Sequence, residues 1–181
     1  MAQQQKVLFL TELGEVTLAH TGYFANHVQK QNLKKRLKNL FVKNNMNQQT
    51  SFTLHSRSRG LHLITDEVLR HLPQLPKMGL LNLFVQHTSC ALSICENWDP
   101  DVRGDMETIF DRLVPENMPG YRHVLEGSDD MPAHAKCIIT GVSINIPITD
   151  GRLNLGTWQG IYLCEFRNDG GARKVVATIV S

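Results

Sequence analysis

The run GLLNLFVQ, Gly79–Gln86, constrains this chain more than any other stretch. Its side chains are almost continuously apolar, yet it is too short to cross a bilayer and is followed at once by a polar run. That combination reads as a buried central strand, around which the other elements must be arranged.

The segments beside it carry shorter signals. SFTLHS (51–56) alternates like a strand, and Thr65 is placed to cap a short helix, Asp66–His71, that Pro73 stops. CALSIC (90–95) reads as another strand. In DPDVRGDMETIFDRLVP, Asp99 is a natural N-cap, Pro100 suits the first helical position, and Pro115 closes the helix. Val102, Met106, Ile109, Phe110 and Leu113 give that helix an apolar stripe. The last third is β-rich. CIITGVSINIPI and GRLNLGTW flank an Asp150-Gly151 turn, a hairpin signal, and GIYLCEFR and ARKVVATIV flank NDGG, read as a second hairpin. The expected fold is α+β: one domain over residues 51–181, with a mostly antiparallel sheet and a few helices.

Residues 1–50 differ in chemistry. They hold seven basic and two acidic side chains, a net +5, which leaves −3 for the remainder of a chain whose total is +2. Leu33, Leu37, Leu40 and Phe41 fall on one face of a possible helix with lysines opposite, and NNMNQQT (44–50) reads as a linker. The patch is too short, and too free of interleaved aromatics, to predict nucleic-acid binding. The 41% apolar and 20% charged composition is that of a globular protein with a core of its own. No apolar run reaches membrane-spanning length, and no secretory leader is evident. A cytoplasmic protein without a membrane partner is expected. Cys90, Cys95, Cys137 and Cys164 form no C-x-x-C pair and are expected to be reduced thiols, mostly buried.

Polar clusters sit at the ends of the apolar segments: QHTS (86–89), ENWDPDVR (96–103), YRHVLEGSDDMPAHAK (121–136), GTWQG (156–160) and CEFR (164–167). A scaffold presents reactive side chains at such places without disturbing its core. Three of the histidines there, His87, His123 and His134, suit a divalent metal, zinc or magnesium, with Glu126, Asp129 and Asp130 completing or orienting the set. A phosphate site fits the same clusters. Arg103, Lys136 and Arg167 supply charge, Thr88, Ser89 and Thr157 supply hydroxyls, and Gly156 and Gly160 let backbone N–H groups approach an anion. Walker, Rossmann and G-x-S-x-G patterns are absent.

In this order RGLHLIT, GLLNLFVQHTS, ENWDPDVRGDMET, EGSDDMPAHAK and GRLNLGTWQGIYLCEFR resemble the YjbQ-like family, the secondary thiamine-phosphate synthases, from about Phe52 to Val180. The resemblance implies a single YjbQ-like domain that assembles as a homotrimer. It also implies a transferase activity of thiamine biosynthesis: hydroxymethylpyrimidine diphosphate and thiazole phosphate condense to thiamine phosphate and pyrophosphate, weakly, with small phosphorylated molecules as substrates. The family's histidines fall on His87, His123 and His134, and its acidic and amide positions on Asn97, Asp99, Glu126, Asp129 and Asp130. The expected assignment is therefore His134, Asp130, Glu126 and Lys136 as catalytic groups and His87, His123 and His134 as metal ligands. Thr88, Ser89, Asn97, Asp99, Arg103, Thr157, Gln159 and Arg167 are expected to hold substrate. Where the family usually reads Cys-Glu-His-Arg, this chain has Phe166. A non-catalytic metal or phosphometabolite binder and a metal-assisted phosphate-ester hydrolase are the competing expectations.

Overall fold

In the computed structural model the apolar run is a strand, Met78–Val85, at the centre of a five-stranded antiparallel sheet. The structure describes residues 9–10, 16–17, 31–32, 34–35 and 47–181. Two compact units divide the chain at Asn44. In the first, strands β1 (Phe9–Leu10) and β2 (Val16–Thr17) pair antiparallel, and residues 31–32 and 34–35 are helical. The apolar face expected from Leu33, Leu37, Leu40 and Phe41 lies outside the described residues.

The second unit is built from strands β3 (Gln48–Leu54), β4 (Ser58–Leu63), β5 (Met78–Val85), β6 (Cys90–Glu96), β7 (Ser143–Thr149), β8 (Arg152–Leu153), β9 (Gln159–Asp169) and β10 (Arg173–Val180). Its helices are α1 (Thr65–His71), α2 (Asp101–Leu113) and α3 (Asp130–Thr140). The larger sheet runs β3-β10-β5-β7-β8 and the smaller β4-β9-β6, and every neighbouring pair is antiparallel. The α+β expectation holds. β3 begins at Gln48, so the last three residues read as linker already belong to the sheet.

The two sheets bury one core between them. Leu81, Leu83 and Val85 of β5 and Val175, Ala177 and Ile179 of β10 meet Leu92 of β6 and Ile161 and Leu163 of β9. Each fully buried Leu or Ile contributes roughly 2 kcal/mol through apolar burial. A second, smaller core lies on the other face of the smaller sheet. There Ala91, Cys164 and Phe166 pack against Ala133 and Cys137 of α3, with Phe110 of α2 at its edge. β9 is buried on both faces because it is the middle strand between these cores. β5 alternates instead: Met78, Leu80 and Phe84 point outward and are exposed. The central run is thus buried on one face only.

Four further expectations are corrected. NDGG does not close a hairpin, since β9 and β10 belong to different sheets and the chain crosses the sandwich there. A Cβ on Gly170 would collide with the Glu165 carboxylate, so this crossing needs glycine. CIITGVSINIPI is not one strand, because its first four residues end α3 and the strand starts at Ser143. Thr65 does not cap α1; its hydroxyl accepts the Ile161 N–H at 2.9 Å and ties the helix to β9. Finally, α2 keeps its Asp99 cap, which accepts the Asp101 N–H at 2.9 Å, but its stripe is not buried: Ile109 and Leu113 are exposed. Cys90, Cys137 and Cys164 are buried free thiols and Cys95 is half-buried; burial pushes the Cys90 and Cys164 thiols up to about 12.

Candidate functional site

The segment EGSDDMPAHAKC makes α3 and its lead-in. Asp129 precedes the helix, Pro132 sits in its first turn where a missing N–H costs nothing, and Gly141 ends it at φ 98°. Gly127, at φ 110°, sits so close that a Cβ would lie 2.9 Å from Asp129 Oδ1. Asp130 and His134 are four residues apart and therefore share a helix face. The preceding loop brings His123 onto the same point. Asp130 Oδ2 lies 2.6 Å from His123 Nε2 and 3.2 Å from His134 Nε2, and one ligand atom from each of the three residues falls within a span of 4.8 Å. Asp130 is buried, His134 half-buried and His123 exposed.

The hydrogen-bond pattern shows what this arrangement wants. His134 Nδ1 lies 2.9 Å from the Thr88 carbonyl, which only accepts, so Nδ1 carries the proton. In the neutral ring Nε2 then turns a lone pair on the Asp130 carboxylate. Those two atoms, 3.2 Å apart, can share a proton on a charged ring or a cation, and imidazole with carboxylate is a donor set able to hold a divalent metal. Glu126 Oε1 stands 3.9 Å from His123 Nε2, at the rim of the same point.

Surrounding charge agrees. Glu126, Asp129 and Asp130 contribute three carboxylates, and Arg167 is the guanidinium among them. Arg167 donates from Nη1 to Asp130, from Nε to Asp129 Oδ2 at 3.0 Å and from Nη2 to the Glu126 carbonyl at 2.7 Å. Burial pushes the Asp129 carboxyl up, but the Asn168 N–H and Arg167 outweigh it and hold the group below the ordinary carboxylate value. Arg167 is thus engaged in fixing carboxylates.

His87 is not one of the three clustered ligands. Its Nε2 accepts from Arg173 Nη1 at 2.6 Å, and its Nδ1 faces the buried Ser89 hydroxyl at 3.1 Å. Arg173 in turn is held by the buried Glu165 through bonds of 2.7 and 2.8 Å. Burial and then the Arg173 guanidinium push the His87 imidazolium pKa below its ordinary value. With both ring nitrogens engaged, His87 is a neighbour of the cluster, whose third member is Asp130. Ser89 serves His87, and Thr88 serves His134 through its carbonyl. The Glu165–Arg173 pair escaped the sequence reading, although a carboxylate inside the apolar run GIYLCEF signals a buried partner.

Lys136 is also corrected. Two residues beyond His134, it projects from the opposite side of α3, is buried, and donates to Asp111 Oδ1 of α2 at 2.6 Å. Asp111 is shared with Arg59, which also reaches Glu107 and Glu116. This network joins β4, α2 and α3 and does not face the cluster.

The remaining predicted residues gather at the other end of the smaller sheet. Cys90 pairs with Glu165 at the histidine end of β6 and β9, and Glu96 with Gln159 at the far end, about 20 Å away along the strand. At that far end Asn97 donates to the Gln159 carbonyl at 3.1 Å, Asp99 caps α2, and Gln159 Oε1 accepts the Gly156 N–H at 2.8 Å. Thr157 is exposed there, and Arg103 lies beside Tyr162. Within one chain these groups do not converge with the histidines. Phe166 packs against Phe110 with ring centroids 5.4 Å apart, so the departure from Cys-Glu-His-Arg falls in the second core and removes nothing from the cluster.

Comparison with known proteins places this geometry. A family model described as UPF0047 protein YjbQ-like matches residues 50–181. The UPF0047 protein YjbQ of Escherichia coli O157:H7 is 50% identical over 133 residues, 72% of this chain and 96% of that protein. A UPF0047 protein of Synechocystis is 50% identical over 103 residues, 57% of this chain and 70% of its own length. Among solved structures, a conserved hypothetical protein of Thermus thermophilus aligns with TM-score 0.62 at 36% identity, covering 70% of this chain and 97% of that one. A YbjQ-like protein of unknown function from Sulfolobus solfataricus shares the fold with TM-score 0.65 at 21% identity, covering 76% and 99%. Over residues 50–181 the chain belongs to the UPF0047 YjbQ-like family.

Proposed function

We propose that this protein is a metal-dependent transferase acting on small phosphorylated molecules, and that its reaction is the thiamine-phosphate-synthase-like condensation that the family resemblance implies. The observation that carries the metal part is the facing of His134 Nε2 and Asp130 Oδ2, with His123 Nε2 on the same oxygen. In the condensation the thiazole nitrogen attacks the pyrimidinylmethyl carbon. A C–N bond forms, the C–O bond to diphosphate breaks, and pyrophosphate leaves with the electron pair. A divalent ion held by His123, Asp130 and His134 would supply neutralisation of the charge building on the leaving oxygens. Arg167 keeps the Asp130 and Asp129 carboxylates in place, and the Thr88 carbonyl keeps Nε2 of His134 turned toward Asp130, where the two would hold the ion together. Glu126 stands at the open side. Because Arg167 and Arg173 are both engaged with carboxylates, anion binding at this end rests on the metal.

The test is a condensation assay on purified protein beside His134→Ala, with metal content measured on the same samples and with a chelator arm. Wild type with bound metal and turnover, both lost in the variant, supports the reading. Full activity after chelation overturns its metal part. Tight pyrophosphate binding without turnover overturns the transferase and leaves a metabolite binder. A homotrimer belongs to the same proposal; exposed Met78, Leu80 and Phe84 on the outer face of the larger sheet support self-association, and sedimentation measures it.

A further inference from the structure

We infer that the cleft between Trp98 and Trp158 is a second ligand site, shaped for a flat heteroaromatic cation. These are the only two tryptophans of the chain. They are 74% and 56% exposed, and they sit at the far end of the smaller sheet from the histidine cluster. Exposed indoles are normally the ones a protein covers, so two side by side need a reason.

Their exposure is built in. Glu96 is the last residue of β6, and its carbonyl accepts the Tyr162 hydroxyl at 2.5 Å. The Asn97 N–H donates to the Trp158 carbonyl at 2.8 Å, and the Asn97 amide to the Gln159 carbonyl. Gly156 and Gln159 exchange two further bonds, one of them from the Gly156 N–H to Gln159 Oε1. Both loops that carry the indoles are thus pinned to each other and to the sheet. The indole planes stand at 75° with centroids 5.8 Å apart, which makes a corner rather than a closed stack.

The corner opens on a cavity of about 510 Å³ lined by Ile94, Cys95, Glu96, Trp98, Trp158 and Gln159. That volume fits a small ligand. Its charge is set by Glu96, the one charged residue of that lining, which also acts electrostatically on the neighbouring Tyr162. An anionic ring would be repelled, and a neutral one would leave the carboxylate uncompensated. A flat cation stacks on one indole, meets the second at its edge, and brings its charge to Glu96. The site stands independently of the metal reading.

The chain's two indole Nε1–H resonances make the test direct. N-methylquinolinium is titrated into the full-length protein, with neutral quinoline as the matched control. Both resonances should shift and saturate with the cation. Quinoline should bind about tenfold more weakly. Glu96→Gln should weaken the cation about tenfold and leave quinoline unchanged, and Trp158→Ala should abolish saturation for both. Thermal midpoints of both variants within a few degrees of wild type confirm that they are folded. A linear, unsaturating response overturns the inference, as does equal binding of cation and neutral ring. So do indoles shielded from a soluble paramagnetic agent because another copy of the chain covers them.

Discussion

The two ends of the smaller sheet solve opposite problems. At one end, α3 and a loop bring two imidazoles onto a buried carboxylate, and that carboxylate is held by an arginine and backed by a buried Glu165–Arg173 pair. At the other end, two indoles stand open beside the Glu96 carboxylate. Charges near a core need partners at every step, so the first end is dense with hydrogen bonds and its members are coupled. Aromatic surface needs only rigid support, so the second end is held by bonds of the backbone and of Asn97, Gln159 and Tyr162 and leaves its two indoles exposed. The difference predicts how each end fails. Damage at the charged end spreads, while damage at the aromatic end stays local.

The largest expected effect is on metal retention. His134→Ala should lower metal affinity by at least about a hundredfold and remove turnover, since it deletes a ligand rather than a supporting group. The same variant should leave both indole resonances where they are. Movement of the indole signals would show that the two ends communicate within one chain and would break the contrast.

Next is stability. Glu165→Gln leaves Arg173 buried without the one carboxylate that pairs with it among the described residues, and the cost should be about 3 kcal/mol in urea unfolding. His87 should lose its fixed orientation with it, because Arg173 Nη1 holds its Nε2. Glu96→Gln, the corresponding carboxylate at the aromatic end, should change stability by less than about 0.5 kcal/mol. Equal losses would show that both ends are built alike.

How far these features were legible in the sequence follows the same divide. The β-rich pattern, the Asp150-Gly151 turn and the Asp99 cap depend on local chemistry, and each stands in the structure. The sheet membership of β9 and β10 does not depend on local chemistry. NDGG fits a hairpin as well as a crossing, and only the strand pairing, which puts β9 and β10 in different sheets, shows which it is. α3 was hidden because IIT favours a strand, while Asp129, Pro132 and Gly141 marked a helix start and stop that outweighed it. His123, Asp130 and His134 could be named as a group from residue types. The exclusion of His87 could not, because it turns on Arg173, which lies 86 residues away in sequence.

A smaller effect tests the network behind the charged end. Burial pushes the Asp111 carboxyl up, but hydrogen bonds from Lys136 and Arg59 outweigh it and hold the folded group below its ordinary 3.8. A lowered folded value means that this group adds stability above 3.8 and that the gain is lost as pH falls through the folded value. Asp111→Asn should therefore lower stability at neutral pH, by about 1–2 kcal/mol, mostly by leaving the buried Lys136 ammonium short of a partner. The wild-type and variant curves should draw together in acid. A gap that persists once acid has protonated the Asp111 carboxyl of the folded protein would assign the loss to packing instead.

The smallest effect settles the role of Lys136. Its residue type and its place beside His134 mark it as a catalytic cation, yet it projects from the other side of α3 into contact with Asp111. Lys136→Met keeps the length of the buried stem and removes the charge. Replacing one member of a buried pair is costly when the other is left buried, but Asp111 keeps Arg59 and its side chain is 41% exposed. The net change should stay within about 1 kcal/mol, of either sign. Metal content and condensation rate should match wild type within about twofold, measured on the same preparation as His134→Ala. A loss of rate with metal and stability intact would return Lys136 to the chemistry. It would mean that α3 turns in the working protein, bringing its buried face toward the cluster and joining the two sides that this structure keeps apart.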